Sequence, residues 1–442
     1  MRRQWWKVYA VTLSLCFLIL ALACVLQPIS WSPDGRWIAL TRWIPDKNSD
    51  SGKPAAGELW IVSPSPIERR RLLVTSATML GGPAWEQDGK GMYVVELPEE
   101  KTTGPTTLRW IPLDGKPREI LRLPATREET GNAAFSSPAI SPDGKRVAFV
   151  WNKQSVVVAR TDGKLDRVIE VEDAGTVLWS HDGRWLVATG GDDNKPAVRF
   201  FDTRSSETFL LDVRFRTMAW LPDGRRFVAV KEQSGEGKNK SSIAVLEGVA
   251  GPREVASFDL DVKPAGPLVL SRQGDAAFFT REEEGEQLPA ICKLDLRDGK
   301  FQVIYESLGP VCAWSVSPNG RSLAFRESAI GKDSGGDSFI GVLDLRGTTE
   351  PIYLALDDKQ WATTIKAYTE ELKKTAPEKI TPGEERKISR AVAQVERLLA
   401  AFRRDFPQSP LLGECAKAVK EVRTAFKQAG IGLSPGGGTP QW

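Results

Sequence analysis

Histidine and cysteine are nearly missing from this chain, which has one histidine, His181, and five cysteines in 442 residues. A single imidazole leaves a Ser-His-Asp hydrolase without a plausible base, since His181 stands in a turn where side chains point to solvent, and no G-x-S-x-G elbow occurs. Histidine-rich and Cys-x-x-Cys metal sites are missing with it. Cys16 and Cys24 fall in the N-terminal apolar run, leaving Cys292, Cys312 and Cys415, too few for a disulfide framework. Cys292 and Cys312 read as small apolar strand residues, with pairing in an oxidising compartment as the alternative. An excess of one charge is also missing. With Arg2, Arg3 and Lys7 of the leader set aside, 57 basic residues face 57 acidic ones, which supplies no field for nucleic acid. The clusters Asp192-Asp193-Asn194 and Glu282-Glu283-Glu284 read as solvated charge rather than Ca²⁺ ligands. No catalytic, cofactor-binding or metal residue is assigned, and the expectation is a protein that is not an enzyme and takes no cofactor.

What the chain has in abundance is one phrase, repeated seven times: an apolar residue, a turn centred on glycine, then a second apolar run. It reads WSPDGRWIAL at 31–40, WEQDGKGMYVV at 85–95, ISPDGKRVAFV at 140–150 and WSHDGRWLVAT at 179–189. It returns as WLPDGRRFVAV at 220–230, LSRQGDAAFFT at 270–280 and VSPNGRSLAFR at 316–326. In Ser-Pro-Asp-Gly, proline presets φ at the second turn position, aspartate suits the third, and glycine takes the left-handed conformation that a bulged hairpin needs. Gly35, Gly89, Gly144, Gly183, Gly224, Gly274 and Gly320 are present in every copy, whereas proline holds only at Pro33, Pro142, Pro222 and Pro318. These glycines are assigned a structural role. A second pair of apolar runs follows each hairpin, so each unit has four antiparallel strands, and seven such units predict an all-β, seven-bladed β-propeller. The glycine-to-glycine intervals of 39 to 55 residues place the excess length in loops. Trp31, Trp85, Trp179, Trp220 and Trp314 belong to the hairpins and are expected in the packing between blades rather than in a ligand cage.

The SPDG phrase followed by an apolar run resembles the WD40-like repeat of TolB-type propellers, over roughly residues 29 to 355. That resemblance implies the fold and an envelope setting, and leaves the partner open, because related propellers also serve as non-catalytic domains of prolyl-oligopeptidase-type peptidases. The small α/β domain that precedes the propeller in TolB-type proteins has no counterpart between the leader and the first hairpin.

The N-terminal run from Val8 to Leu26 carries no charge and follows three cations. Nineteen residues suffice to span a bilayer. Three readings stand: an uncleaved anchor, a signal peptide cleaved after Ala21-Leu22-Ala23, or a lipoprotein signal with lipidation at Cys24. Each puts the propeller on the extracytoplasmic side, in the periplasm or at the cell surface.

Blade geometry sends the first and third turns to one face, and the second turns and the crossings between blades to the other. The longer, variable segments at 44–57, 97–107, 124–137, 231–242, 281–287 and 326–338 are therefore expected to crowd the second face, together with both chain ends. Past Asp357 the period becomes helical. Thr381, Pro382 and Glu384 read as a helix start with a capping box. Ile388, Val392, Val395, Leu399 and Phe402 form one apolar stripe, and Leu411, Cys415, Val419, Val422 and Phe426 form another on a helix running from Ser409-Pro410 to a stop at Gly430. The phrase FRRDFPQSPLLGECAKAV, a single partial copy, resembles the helix junction of tetratricopeptide units.

The organisation expected is a signal peptide or transmembrane anchor over 1–27, the propeller over 28–356, an α-helical segment with a helical hairpin over 357–430 and a flexible tail over 431–442. The function expected is a non-catalytic scaffold of the cell envelope. It would bind envelope proteins through its long-loop face and C-terminal helices, contact the membrane through its N-terminal segment, and bind no nucleic acid. The alternatives are a sensor for a small ligand or glycan, and a metal-dependent lactonase-like hydrolase. Deleting residues 357–442 is expected to leave a folded propeller.

Overall fold

The computed structural model describes residues 29–45, 54–64, 70–76, 78–97, 105–124, 138–151, 154–171, 174–192, 195–211, 215–232, 241–281, 289–307, 311–328, 338–347, 350–354, 356–374, 382–431 and 433. The leader with Cys24, most of each long variable segment, Thr381 and the tail beyond residue 433 lie outside them, as do both acidic clusters apart from the backbone of Asp192. Among the described residues no helix is long and apolar enough to cross a membrane.

Seven antiparallel sheets follow one another along the chain, each built from consecutive strands. They are the blades of a seven-bladed β-propeller, and they cover residues 29–76, 79–123, 139–170, 174–211, 215–260, 264–306 and 311–354. Six sheets have four strands in simple meander order. In blade 2 the first strand is broken into Met79–Leu80 and Ala84–Trp85, both paired with Gly91–Leu97. The break falls on Gly81-Gly82-Pro83, where proline has no N–H to give to a ladder.

The first turns of blades 1, 3, 4 and 7 share one set of local bonds. In blade 1 the Ser32 hydroxyl donates to Asp34 at 2.5 Å and accepts the Trp37 N–H at 2.9 Å, while Asp34 accepts the Arg36 N–H at 3.0 Å. The same bonds recur around Ser141, Ser180 and, with Asn319 in place of aspartate, Ser317. These serines are buried, so the turn supplies all of their polar partners internally. The seven glycines adopt φ between +68° and +73°, a region that costs a residue with a Cβ roughly 1–2 kcal/mol.

Space around those glycines differs. A Cβ on Gly144 or Gly320 would meet nothing within 4 Å, whereas one on Gly274 would come within 2.5 Å of Pro222 in the preceding blade. Gly144→Ala is thus expected to cost about 1–2 kcal/mol through backbone strain alone. Gly274→Ala should cost clearly more, because the turns of blades 5 and 6 must also separate. Paired urea melts of the two variants check this, and equal shifts would show that contact between blades adds nothing.

Neighbouring blades pack through apolar faces, and three hairpin tryptophans tie blades 1, 2 and 4 to the blade before them. Trp31 donates its indole N–H to the Ser315 carbonyl of blade 7 at 3.0 Å, Trp85 to Ser30 of blade 1 at 3.1 Å, and Trp179 to Ala139 of blade 3 at 3.0 Å. Trp220 meets Phe200 and Phe227 edge-on at 5.9 and 5.6 Å, and all four of these tryptophans, with Trp314, are buried.

Three helices follow blade 7: α1 (Asp358–Lys374), α2 (Pro382–Asp405) and α3 (Leu412–Gln428). The last starts at Leu412 rather than Ser409, because the Ser409 hydroxyl donates to Asp358 at 2.9 Å and the chain turns through Pro410 and Leu411 before it winds up. It ends at Gly430 with φ +82°, where the Gly430 and Ile431 N–H groups bond back to the Lys427 and Phe426 carbonyls at 3.1 Å. Ile431 then packs with Phe426, completing a Schellman motif. The two predicted stripes meet each other and α1 in one core: Ile388, Val392, Val395, Phe402, Cys415, Val419, Val422 and Phe426 are buried, with Leu399 and Leu411 half-buried at its edge.

The helix-capped seam, a candidate functional site

Blade 7 has a short outer strand, Ile352–Leu354, which pairs only with Ile340, Gly341 and Val342 of the strand beside it. Ser338 and Phe339 therefore extend past the last ladder pair, and the helices cover this part of the blade. Phe339, 2% exposed, and Tyr353 share the helical core, with the Phe339 ring 5.0 Å from Tyr353, 5.9 Å from Trp361 and 6.2 Å from Tyr368. The bundle is thus docked on the propeller, a point on which the apolar stripes by themselves are silent.

The polar part of this docking follows from the repeat. Seven residues past the turn glycine, in the second half of each second strand, stand Arg42, Glu96, Trp151, Gly190, Lys231, Arg281 and Glu327. Five of the seven carry charge. Glu96 takes Arg109 at 2.6 Å and the Ser76 hydroxyl at 2.9 Å, and Lys231 pairs with Glu254 at 3.2 Å. In the other three, which belong to the consecutive blades 6, 7 and 1, the charge is linked to the helices.

In blade 1, Arg42 bonds both Glu58, at 2.6 Å, and Asp357 and Gln360 at the start of α1. Its guanidinium lies 5.3 Å from the centre of Trp60, whose indole also donates to Glu58 at 2.7 Å. Burial works against the charge on Arg42, but the bonds and charges of Asp357 and Glu58 outweigh it and raise the guanidinium above its ordinary value. Arg326 of blade 7 reaches across to the Thr41 carbonyl at 3.0 Å. Burial, with the nearby Arg42 charge, pushes Arg326 down to about 9, which leaves it cationic at neutral pH.

In blade 7, Glu327 is fully buried and accepts the Tyr305 hydroxyl at 2.7 Å and the Gln394 side-chain amide of α2 at 3.0 Å. The Tyr305 and Tyr353 hydroxyls lie 3.2 Å apart. Burial, and then the Glu327 charge, hold Tyr305, Tyr353 and Tyr368 well above the usual phenol range, so all three keep their protons. In blade 6, Arg281 meets Glu306 at 3.3 Å, and Glu306 also takes Arg390 of α2. Further along α2, Arg397 pairs with Glu350 at 3.1 Å, Arg404 donates to the Tyr353 carbonyl at 2.8 Å, and the Phe406 ring sits 4.1 Å from the Arg70 guanidinium of blade 1.

This arrangement holds a helical element by shape and charge. Its carboxylates and guanidiniums are matched to protein partners, and among the described residues no group of three or more His, Cys, Asp or Glu side chains is placed to hold a metal ion. A separate cleft of about 360 Å³ lies between blades 5 and 6, with Arg226 and Arg297 at its edge. Both are engaged there, Arg226 with Asp223 and Arg297 with Asp295 and Asp275. His181 is exposed in the first turn of blade 4, and Cys292 is a free, buried thiol that burial pushes up to about 12. A charge at a constant distance from the turn glycine, in five of seven copies, is a legible signal in the sequence. The partners of these charges in the helices were not legible.

No family model matches this chain, and no curated protein matches it. Among solved structures, hydrazine synthase from Kuenenia stuttgartiensis is similar at 15% identity and a TM-score of 0.48, over 72% of this chain and 95% of that one. TolB from Acinetobacter baumannii is similar at 15% identity and a TM-score of 0.43, over 72% of this chain. The chain spans 63% of that TolB chain, less than two thirds of it. Neither similarity carries a function across.

Proposed function

We propose that this protein is a non-catalytic β-propeller scaffold of the cell envelope, held on the extracytoplasmic side by its N-terminal segment and binding protein partners through the loop-bearing face. The observation that carries the reading is the contrast between the two ends of the ring. The first turns span five or six residues between strands, while the second connections span from two to nine. A ring whose first turns keep nearly one length while its second connections vary suits recognition by those connections, since loops escape the packing constraint of the strands. The engaged charges of the seam and of the cleft favour binding over chemistry.

In-cell crosslinking of the tagged, full-length protein, followed by mass spectrometry of captured peptides, tests this. Reproducible links from one envelope protein to the 44–57, 231–242 or 326–338 segments are the expected result. Absence of any protein above background would overturn the scaffold reading and turn attention to metabolite and metal screens.

A further inference from the structure

We propose that the C-terminal helical bundle is a clasp that closes the propeller ring across the junction between blades 7 and 1. Six of the seven junctions between blades are crossed by the chain itself. Among the described residues the seventh is not, because every sheet is made of consecutive strands and blade 1 contributes none to blade 7. Closure there relies on side chains: the Trp31 indole on Ser315, Arg326 on the Thr41 carbonyl, and a shared core in which Ile29, Leu40 and Val62 meet Ala324, Ile340 and Val342.

The helices supply the missing tether. Leaving blade 7 at Leu354, the chain buries Leu356 in that same core and then places Asp357 and Gln360 on Arg42 of blade 1. Phe406, near the far end of the bundle, reaches Arg70 of the outer strand of blade 1, while Gln394 and Arg404 hold blade 7. The bundle thus grips both sides of that junction. Because Asp357 follows the last strand by only three residues, its meeting with Arg42 is intramolecular, with the high effective concentration of a short tether.

Hydrogen exchange of the full-length chain tests the clasp, since local openings report which elements unfold as one unit. Asp357→Ala combined with Gln360→Ala should speed exchange at least tenfold in the first two strands of blade 1 and the first two of blade 7, leaving blades 3 and 4 unchanged. Lys366→Ala with Lys373→Ala, which removes the bundle's own pairs to Glu414 and Glu421, should leave the junction protected. Faster exchange confined to the helices, equal acceleration in all blades, or no change in the first variant would each overturn the proposal. The unaltered protein in low denaturant gives a second reading that needs no variant. Helices and junction strands opening together support the clasp, and helices opening alone over a protected junction refute it.

Discussion

Phe339→Ala is expected to destabilise the protein by about 3–5 kcal/mol, the range for deleting a buried aromatic side chain without collapse of its site. Phe339 touches rings from both parts of the molecule, Tyr353 in blade 7 and Trp361 and Tyr368 in α1. Its loss should therefore loosen the helices and blade 7 together, and a chemical melt should keep a single transition at lower denaturant. Phe301→Ala is the natural control, because Phe301 is 37% exposed on the outer strand of blade 6 and its loss should cost only about 1–2 kcal/mol. Two separate transitions, or equal shifts in both variants, would show that the docking core is not shared. The outcome also bears on deletion of residues 357–442. The propeller left behind would expose Phe339 and Tyr353 and would strip Glu327 of Gln394, so a folded but markedly weakened ring is the expected product.

Glu327→Ala should cost about 3–5 kcal/mol, since it leaves the Tyr305 hydroxyl and the Gln394 amide without their buried acceptor and opens a cavity between blade and helix. Glu327→Gln keeps the shape and one carbonyl acceptor, so most of that loss should be recovered. Comparing unfolding free energies of the two variants separates hydrogen bonding from packing. If alanine and glutamine behaved alike, with shifts under about 1 kcal/mol, the buried network would not be holding blade, neighbour and helix together.

Some of this architecture can be read directly from residues. The glycine turns are legible because their bonds are short-range. Serine, aspartate and glycine lie within five residues of the groups they bond, and the left-handed φ is a requirement of the glycine position itself. Four hairpin tryptophans, Trp31, Trp85, Trp179 and Trp220, are legible as packing residues for the same reason, since each stands four residues before its turn glycine. The broken first strand of blade 2 could have been foreseen from Gly81-Gly82-Pro83. Five of the seven residues seven places past the turn glycine are charged, but their partners lie in no constant relation to the repeat: Glu96 finds Arg109, Lys231 finds Glu254, and Arg42 finds Asp357.

By itself, the sequence determined the hairpins, their sevenfold repetition and the helical character of the region after Asp357, because turn chemistry and apolar periodicity act over a few residues. The tertiary structure alone decided where the helices sit. Arg42 and Asp357 are 315 positions apart, as are Thr41 and Arg326 at 285, and contacts of that range come into being only when the ring closes. Opposite charges and apolar stripes state that a surface wants a partner. Which surface meets which is settled by the curvature of seven packed blades, and that curvature brings the last blade, and the helices it carries, against the first.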